Sequence, residues 1–193
     1  MDTFARALEH IRYYVRAGTQ TELSLTGIGE AILHPLFEEM VARCREVIGD
    51  ERQLVLSTNG VAIEPKHARI LAHYRVQTYV SLHRPEVAAP AARMLHENGV
   101  EVLVNHAFVD SAINWAGQVD WHSTAPRYTC DYLARGWAVI RANGSVDACC
   151  QDAHDLHPIG HVNDEVGSLH THAIALCANC HLMVPKTMRG IAA

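Results

Sequence analysis

The chain has 193 residues, enough for one domain, or one domain with a small appendage, and too few for a multidomain machine. Hydrophobic residues make up 49% and charged residues 19%, which supports a real core, and a net charge of −5 supplies no basic field to draw the chain onto a phosphate backbone. No apolar run of about 18 residues could cross a bilayer, and charges are spread through the opening MDTFARALEHIRYYVRAG rather than arranged as a signal peptide, so neither nucleic acid nor membrane is expected and the location expected is the cytoplasm.

Residues 3–17 place Phe4, Leu8, Ile11 and Val15 at helical spacing, with Asp2 or Thr3 to cap the helix and Gly18 to stop it. A short strand, Glu22–Thr26, runs into the turn Gly27-Ile28-Gly29-Glu30, and Pro35 is placed to open a helix carrying Met40, Val41, Cys44 and Val47. Strand Gln53–Ser57, the turn Asn59-Gly60, a helix over 64–74 and strand Val76–Leu82 repeat the alternation. A helix over 86–98 and strand Val100–Asn105 extend it. Strands alternating with helices of this length predict a parallel sheet of right-handed βαβ units. Ligands of such sheets sit at the carboxyl ends of the strands, here the Gly27–Glu30 turn, Thr58–Gly60, His83-Arg84 and His106.

The periodicity lapses after residue 107. Trp137–Ala142 and Ser145–Cys150 then flank Asn143-Gly144, a dipeptide suited to a two-residue type I′ hairpin turn, and a short helix is expected near 169–176. The expected organisation is an α/β body over 1–107, a connector over 108–127 and a small module over 128–193.

Six cysteines stand at positions 44, 130, 149, 150, 177 and 180, five of them in the last third. In a reducing compartment such clustering points to metal rather than disulfides. Cys44, on the apolar face of a helix, reads as a packed thiol. Cys130, one of Cys149 and Cys150, Cys177 and Cys180 make a plausible tetrathiolate site in which Cys177-x2-Cys180 is a tight chelating turn. Along a strand neighbouring side chains alternate, so Cys149 and Cys150 are expected on opposite faces and one cluster is expected to take one of them. Iron-sulfur and zinc both suit four thiolates. Cys177-Ala-Asn-Cys180-His181 also meets the C-x-x-C-H pattern of covalent haem attachment, against which stand the three other cysteines nearby and the lack of an export signal. His83 and His106 sit at strand ends without a carboxylate partner that the sequence identifies, and no catalytic residues are assigned.

The stretches LSLTGIGEAILHPLFEEMV, LVLSTNGVAI, YVSLHRPE and GVEVLVN resemble the partial TIM barrel of radical S-adenosylmethionine enzymes from its second strand onward. The C-terminal stretch resembles the SPASM or twitch extension of the same superfamily. Its pattern of a Cys, a spacer, a Gly and a second Cys five positions later is matched by Cys130, Gly144 and Cys149, and its following CxxC by Cys177 and Cys180. The resemblance implies a truncated partial TIM-barrel-like sheet with a small C-terminal hairpin-and-helix module. It also implies one 4Fe-4S cluster on Cys130, Cys149, Cys177 and Cys180, favouring iron-sulfur over zinc and Cys149 over Cys150.

Two departures shape the expected function. The family's CxxxCxxC loop precedes the first helix, whereas this chain starts at that helix and has no cysteines so spaced. The turn that contacts the amino group of S-adenosylmethionine in the family is matched by Gly27–Glu30, with Ala31 in place of the usual proline, so Gly29 and Glu30 are candidate cofactor-binding residues in a remnant site and S-adenosylmethionine itself is not expected. The expected function is a structural or electron-transfer iron-sulfur protein that is not a radical enzyme by itself. Three alternatives stay open: a radical enzyme completed by a partner chain, a structural subunit of a larger assembly such as a phage particle, and a zinc-binding structural protein. With no strand predicted beside Glu22–Thr26, that sheet edge is expected to be covered by a second copy or a partner protein.

Overall fold

The computed structural model describes residues 2–19, 22–27, 29–82, 84–105, 130–152 and 154–179. The chain divides into two compact units, one of Ile11–Ser111 and one assembled from Met1–His10 with Ala112–Ala193. All of the expected connector, together with His83, His106 and Cys180, lies outside the described residues.

Helix α1 covers Asp2–Arg16 and buries Ala7, Leu8 and His10. Its C-terminal part begins the first unit, a four-stranded parallel sheet of β1 (Glu22–Leu25), β2 (Gln53–Thr58), β3 (Val76–Ser81) and β4 (Val102–Asn105) in that order. The connecting helices are α2 (Phe37–Ile48), α3 (Pro65–His73) and α4 (Pro85–Glu97). Parallel neighbours joined in sequence by right-handed crossovers carry all their helices on one face. Leu54, Leu56, Val76 and Val80 of the strands and Val41, Leu71, Ala88 and Leu95 of the helices are fully buried and form that core. The predicted alternation is therefore present, as an open sheet among the described residues rather than a closed barrel, with β1 at one edge.

One expectation shifts locally. Pro35 does not open α2: Leu33 and His34 donate to the carbonyls of Glu30 and Ala31, closing a 3-10 turn over Ala31–Leu33, and His34 Nδ1 accepts the Leu36 N–H at 3.1 Å. Pro35 is held in that bend and the helix begins at Phe37.

At the amino-terminal rim of the sheet one side chain joins several chain segments. Arg45 donates from Nε to Tyr74 O at 2.9 Å, from Nη1 to Gly49 O at 2.8 Å and Arg52 O at 2.9 Å, and from Nη2 to Arg75 O at 2.9 Å. The guanidinium thus ties the ends of α2 and α3 to the entries of β2 and β3, and helps hold Arg75 at φ 50°, a left-handed conformation uncommon for a side-chain-bearing residue. Arg45→Ala strips the donor from four carbonyls and is expected to cost about 3 kcal/mol, since charged hydrogen bonds contribute roughly 1.5–3 kcal/mol each and do not add fully. Urea denaturation of the variant checks this, and a loss below about 0.5 kcal/mol, the range of an ordinary surface substitution, would refute it.

The second unit holds α5 (Asp131–Ala134) and a three-stranded antiparallel sheet of β5 (Val139–Ile140), β6 (Ser145–Asp147) and β7 (Pro158–His161). Its core packs Ala7 of α1 with Val146 and Val162, flanked by Ile140, Ile159 and Leu169. His10 is buried beside it, its Nε2 3.2 Å from Val162 O.

The hairpin departs from the expected turn. Arg141 N–H donates to Ser145 O and Gly144 N–H to Arg141 O, both at 2.9 Å, so the loop has three residues. Gly144 has φ 94° while Asn143 is not in the left-handed region, which excludes type I′ and matches a type I turn closed by a glycine bulge. The pairing becomes Ile140 with Val146 and Val139 with Asp147. Two further corrections concern the module's extent: β7 adds a third strand, and the expected helix at 169–176 is replaced by a 3-10 helix over Ala175–Asn179.

Candidate metal centre

Four of the five candidate thiols of the C-terminal module lie in the described residues. Cys130 is buried at the entrance to α5, where its carbonyl accepts the Ala134 N–H at 2.9 Å. Cys149 and Cys150 follow β6 and are half-buried, and Cys177 is half-buried in the terminal 3-10 helix. Cys130, Cys149, Cys150 and Cys177 are not joined in disulfides. Cys44 differs from them: it lies in the core of the other unit at 1% exposure, and burial pushes its thiol up to about 12, which leaves it neutral and unavailable as a ligand.

The phenol of Tyr132 is a landmark for the others. Burial raises its pKa first, and the charges of Cys150, Cys149 and Cys130 raise it further. Its ring meets Trp137 edge to face at a centroid distance of 5.2 Å. Among the described residues no three His, Cys, Asp or Glu side chains already converge as a metal-holding group.

The expected separation of Cys149 and Cys150 onto opposite faces does not apply, because β6 ends at Asp147 and both cysteines lie in the turn beyond it. Cys149 hydrogen-bonds the Cys150 sulfur through its side chain, and that bond, helped by Gln151 and the nearby Arg141 against the opposing effect of burial, holds the Cys150 thiol well below its ordinary range. Gln151 serves both sulfurs, its backbone N–H donating to Cys149 Sγ at 3.3 Å and its side-chain amide to Cys150 Sγ at 3.7 Å.

Arg141 frames this turn. Its guanidinium donates to the Asp147 carboxylate before the cysteines and to the Asp152 carbonyl after them. Asp152, fully buried, accepts the N–H groups of Leu156 at 3.1 Å and His157 at 2.9 Å. Burial, reinforced by neighbouring Asp155, pushes the Asp147 carboxyl up to about 6 in spite of Arg141, while Ser145 and Asn143 hold Asp155 below the usual carboxylate range. The cysteine spacing did not disclose Tyr132, Arg141 or Gln151. An arginine and an aspartate on facing strands of a hairpin are a signal for the second, legible only once the register is known.

The second candidate site lies at the carboxyl end of the parallel sheet. Glu30 Oε2 accepts the Asn59 N–H at 3.1 Å, joining the segments after β1 and β2, and Thr58 Oγ1 and Asn59 Oδ1 accept the N–H groups of Gly60 and Val61. Glu30 Oε1 is buried without a partner among the described residues, and Gly29 adopts φ 133°. Ser24, Thr26 and Ser57 form a chain of hydroxyl hydrogen bonds at 2.6 and 3.2 Å beside this end.

A four-stranded parallel sheet with this rim has a solved counterpart. The chain matches the crystal structure of BtrN in complex with AdoMet and 2-DOIA with a TM-score of 0.66 and 19% identity, covering 86% of this chain and 66% of that one. The fold resembles that of BtrN. A second BtrN structure, in an open conformation, matches at a TM-score of 0.61 and 17% identity over 93% of this chain and 78% of that one. No protein-family model and no curated protein matches the chain.

Proposed function

We propose that this protein is an iron-sulfur protein in which Cys130, Cys149, Cys177 and Cys180 hold one 4Fe-4S cluster on a radical-S-adenosylmethionine-like scaffold, acting as a structural or electron-transfer subunit. The observation that supports this reading is that Cys149 and Cys150 sit side by side in the turn after β6, both contacted by Gln151, in the same unit as Cys130 and Cys177, while Cys44 is buried in the core of the other unit. Soft thiolates with no imidazole or carboxylate among them fit an iron-sulfur group by donor chemistry. When bound, such a cluster supplies one-electron transfer and a four-point cross-link. The residues around it do the rest: Arg141 fixes the cysteine turn, Gln151 presents N–H donors to sulfur, and Tyr132 with Trp137 sets an aromatic wall beside the thiols. Metal and sulfide analysis of anaerobically purified protein tests the reading, with about four iron and four sulfide per chain expected. Stoichiometric zinc without sulfide would replace it with a closed structural zinc site. The outer edge of β1 is proposed as the place where a second copy or a partner protein pairs.

A second reading, an enzyme completed by a partner chain, is favoured by Glu30. Its Oε1, unpartnered among the described residues, is the kind of acceptor an ammonium group satisfies, and BtrN was solved with AdoMet. None of the six cysteines of this chain is spaced CxxxCxxC, so the chain alone lacks ligands for a cluster that could reduce S-adenosylmethionine. Reduced protein mixed with S-adenosylmethionine is therefore expected to yield no 5′-deoxyadenosine above background by liquid chromatography. Turnover by the isolated chain would favour the second reading over the first.

A further inference from the structure

We propose that His67 is an acid-sensitive latch on the first turn of α3, where protonation of the ring breaks the hydrogen bond that holds Glu64; this stands apart from the iron-sulfur reading above. His67 occupies the third position of α3, after Pro65 and Lys66, and its Nδ1 accepts the N–H of the N-cap residue Glu64 at 3.0 Å. That is the returning half of a capping box, a place usually taken by glutamate or glutamine. A glutamine accepts there at any pH. Histidine accepts only while Nδ1 carries no proton, so the ring that makes this bond is neutral and holds its proton on Nε2. A second proton would turn Nδ1 into a donor facing the Glu64 N–H, and two facing donors part.

The surroundings oppose that proton as well. His67 is only 7% exposed and meets Phe37 of α2 edge to face at a centroid distance of 6.0 Å, so α2 offers it an uncharged neighbour. From its own turn, Lys66 repels an imidazolium, while the Glu64 carboxylate, paired with Lys66 at 2.8 Å, attracts it. A cation in the first turn also lies at the positive end of the helix dipole. Burial first, and Lys66 after it, hold the imidazole below the usual histidine range against the pull of Glu64. A histidine so lowered contributes stability that is complete above about pH 6.5 and is lost as pH falls through the lower folded value. The residues freed lie between the Asn59-Gly60 turn, which Glu30 engages, and α3, so mild acid acts on the segment that leaves the carboxyl rim of the sheet.

The test is nuclear magnetic resonance of the full chain, as wild type and as His67→Gln, between about pH 7.5 and pH 5, a range that spans the ordinary histidine pKa. In wild type the His67 ring is expected to titrate below about 6.5, and protection of the Glu64 amide, corrected for intrinsic exchange, to fall at least about fivefold, the effect of losing one helix cap. In His67→Gln, which keeps an acceptor at every pH, the same amide should stay protected within about twofold over the range. A His67 ring that titrates at or above its ordinary value would overturn the latch, because the fold would then favour the imidazolium. An equal loss of Glu64 protection in both proteins would overturn it too. Should His67→Gln fail to fold, wild type alone decides: Glu64 protection that holds steady while the His67 ring takes its proton would dismiss the proposal.

Discussion

Cys130→Ala and Cys177→Ala proteins, purified anaerobically, are expected to carry at least about tenfold less iron and sulfide than wild type, because each removes one of the four thiolates proposed to hold the cluster. Cys130 is buried beside α5, and Cys177 lies in the 3-10 helix just before Cys180. Either substitution leaves three thiolates where a cubane needs four. Metal binding to such a site is also folding free energy, so thermal unfolding of the C-terminal module should fall with the iron. Cys44→Ala provides the contrast: that thiol is neutral, packed and far from this chemistry in sequence, so its loss should alter packing and leave the iron content unchanged. Full iron in Cys177→Ala, or equal iron loss in Cys44→Ala, would remove the assigned ligand set.

Gly144→Ala is expected to destabilise the protein by about 3 kcal/mol, from two costs of roughly 1–3 kcal/mol each. The first is conformational, since φ 94° at the hairpin bulge is a backbone geometry that L side chains rarely adopt. The second is steric: a Cβ there would stand 2.7 Å from His161 Nε2 and 3.0 Å from Val162 Cγ2. The His161 ring is not free to retreat cheaply, because its Nε2 is engaged with Asn143 O at 3.2 Å and its Nδ1 accepts the Asn163 N–H at 3.1 Å. Val162 is itself in the module core and donates its N–H to Gly144 O at 2.8 Å. A total stability of about 5–15 kcal/mol makes such a loss plain in a urea titration, and a shift under about 1 kcal/mol would contradict the packing described.

The parallel sheet was legible because its physics is local. Val76, Thr78 and Val80 alternate with half-buried partners, and glycines at 18, 49 and 99 end the helices where the spacing says they should. The hairpin was legible only to within one residue. Asn143-Gly144 suits a two-residue turn by propensity, but pairing Ile140 with Val146, both apolar and packed in the module, wins over the turn preference. Strand β7 escaped notice because Pro158 and Gly160 read as loop. The proline opens the strand at its first residue, a position that tolerates it, and the glycine is required where Leu169 Cδ2 would lie 2.6 Å from a Cβ. The placement of Cys149 and Cys150 depends on where β6 stops, which no local signal marks.

The assembly of the second unit from the two ends of the chain bears on the order of folding. His10 meets Val162 across a separation of 152 residues, and closing a flexible loop of that length costs about 4 kcal/mol of chain entropy beyond a constant. A free chain would meet that cost in full before any contact of the Ala7, Val146 and Val162 core could offset it. The Ala7, Val146 and Val162 core needs residues near both ends of the chain, so it is expected to form only after the residues around Val162 have left the ribosome.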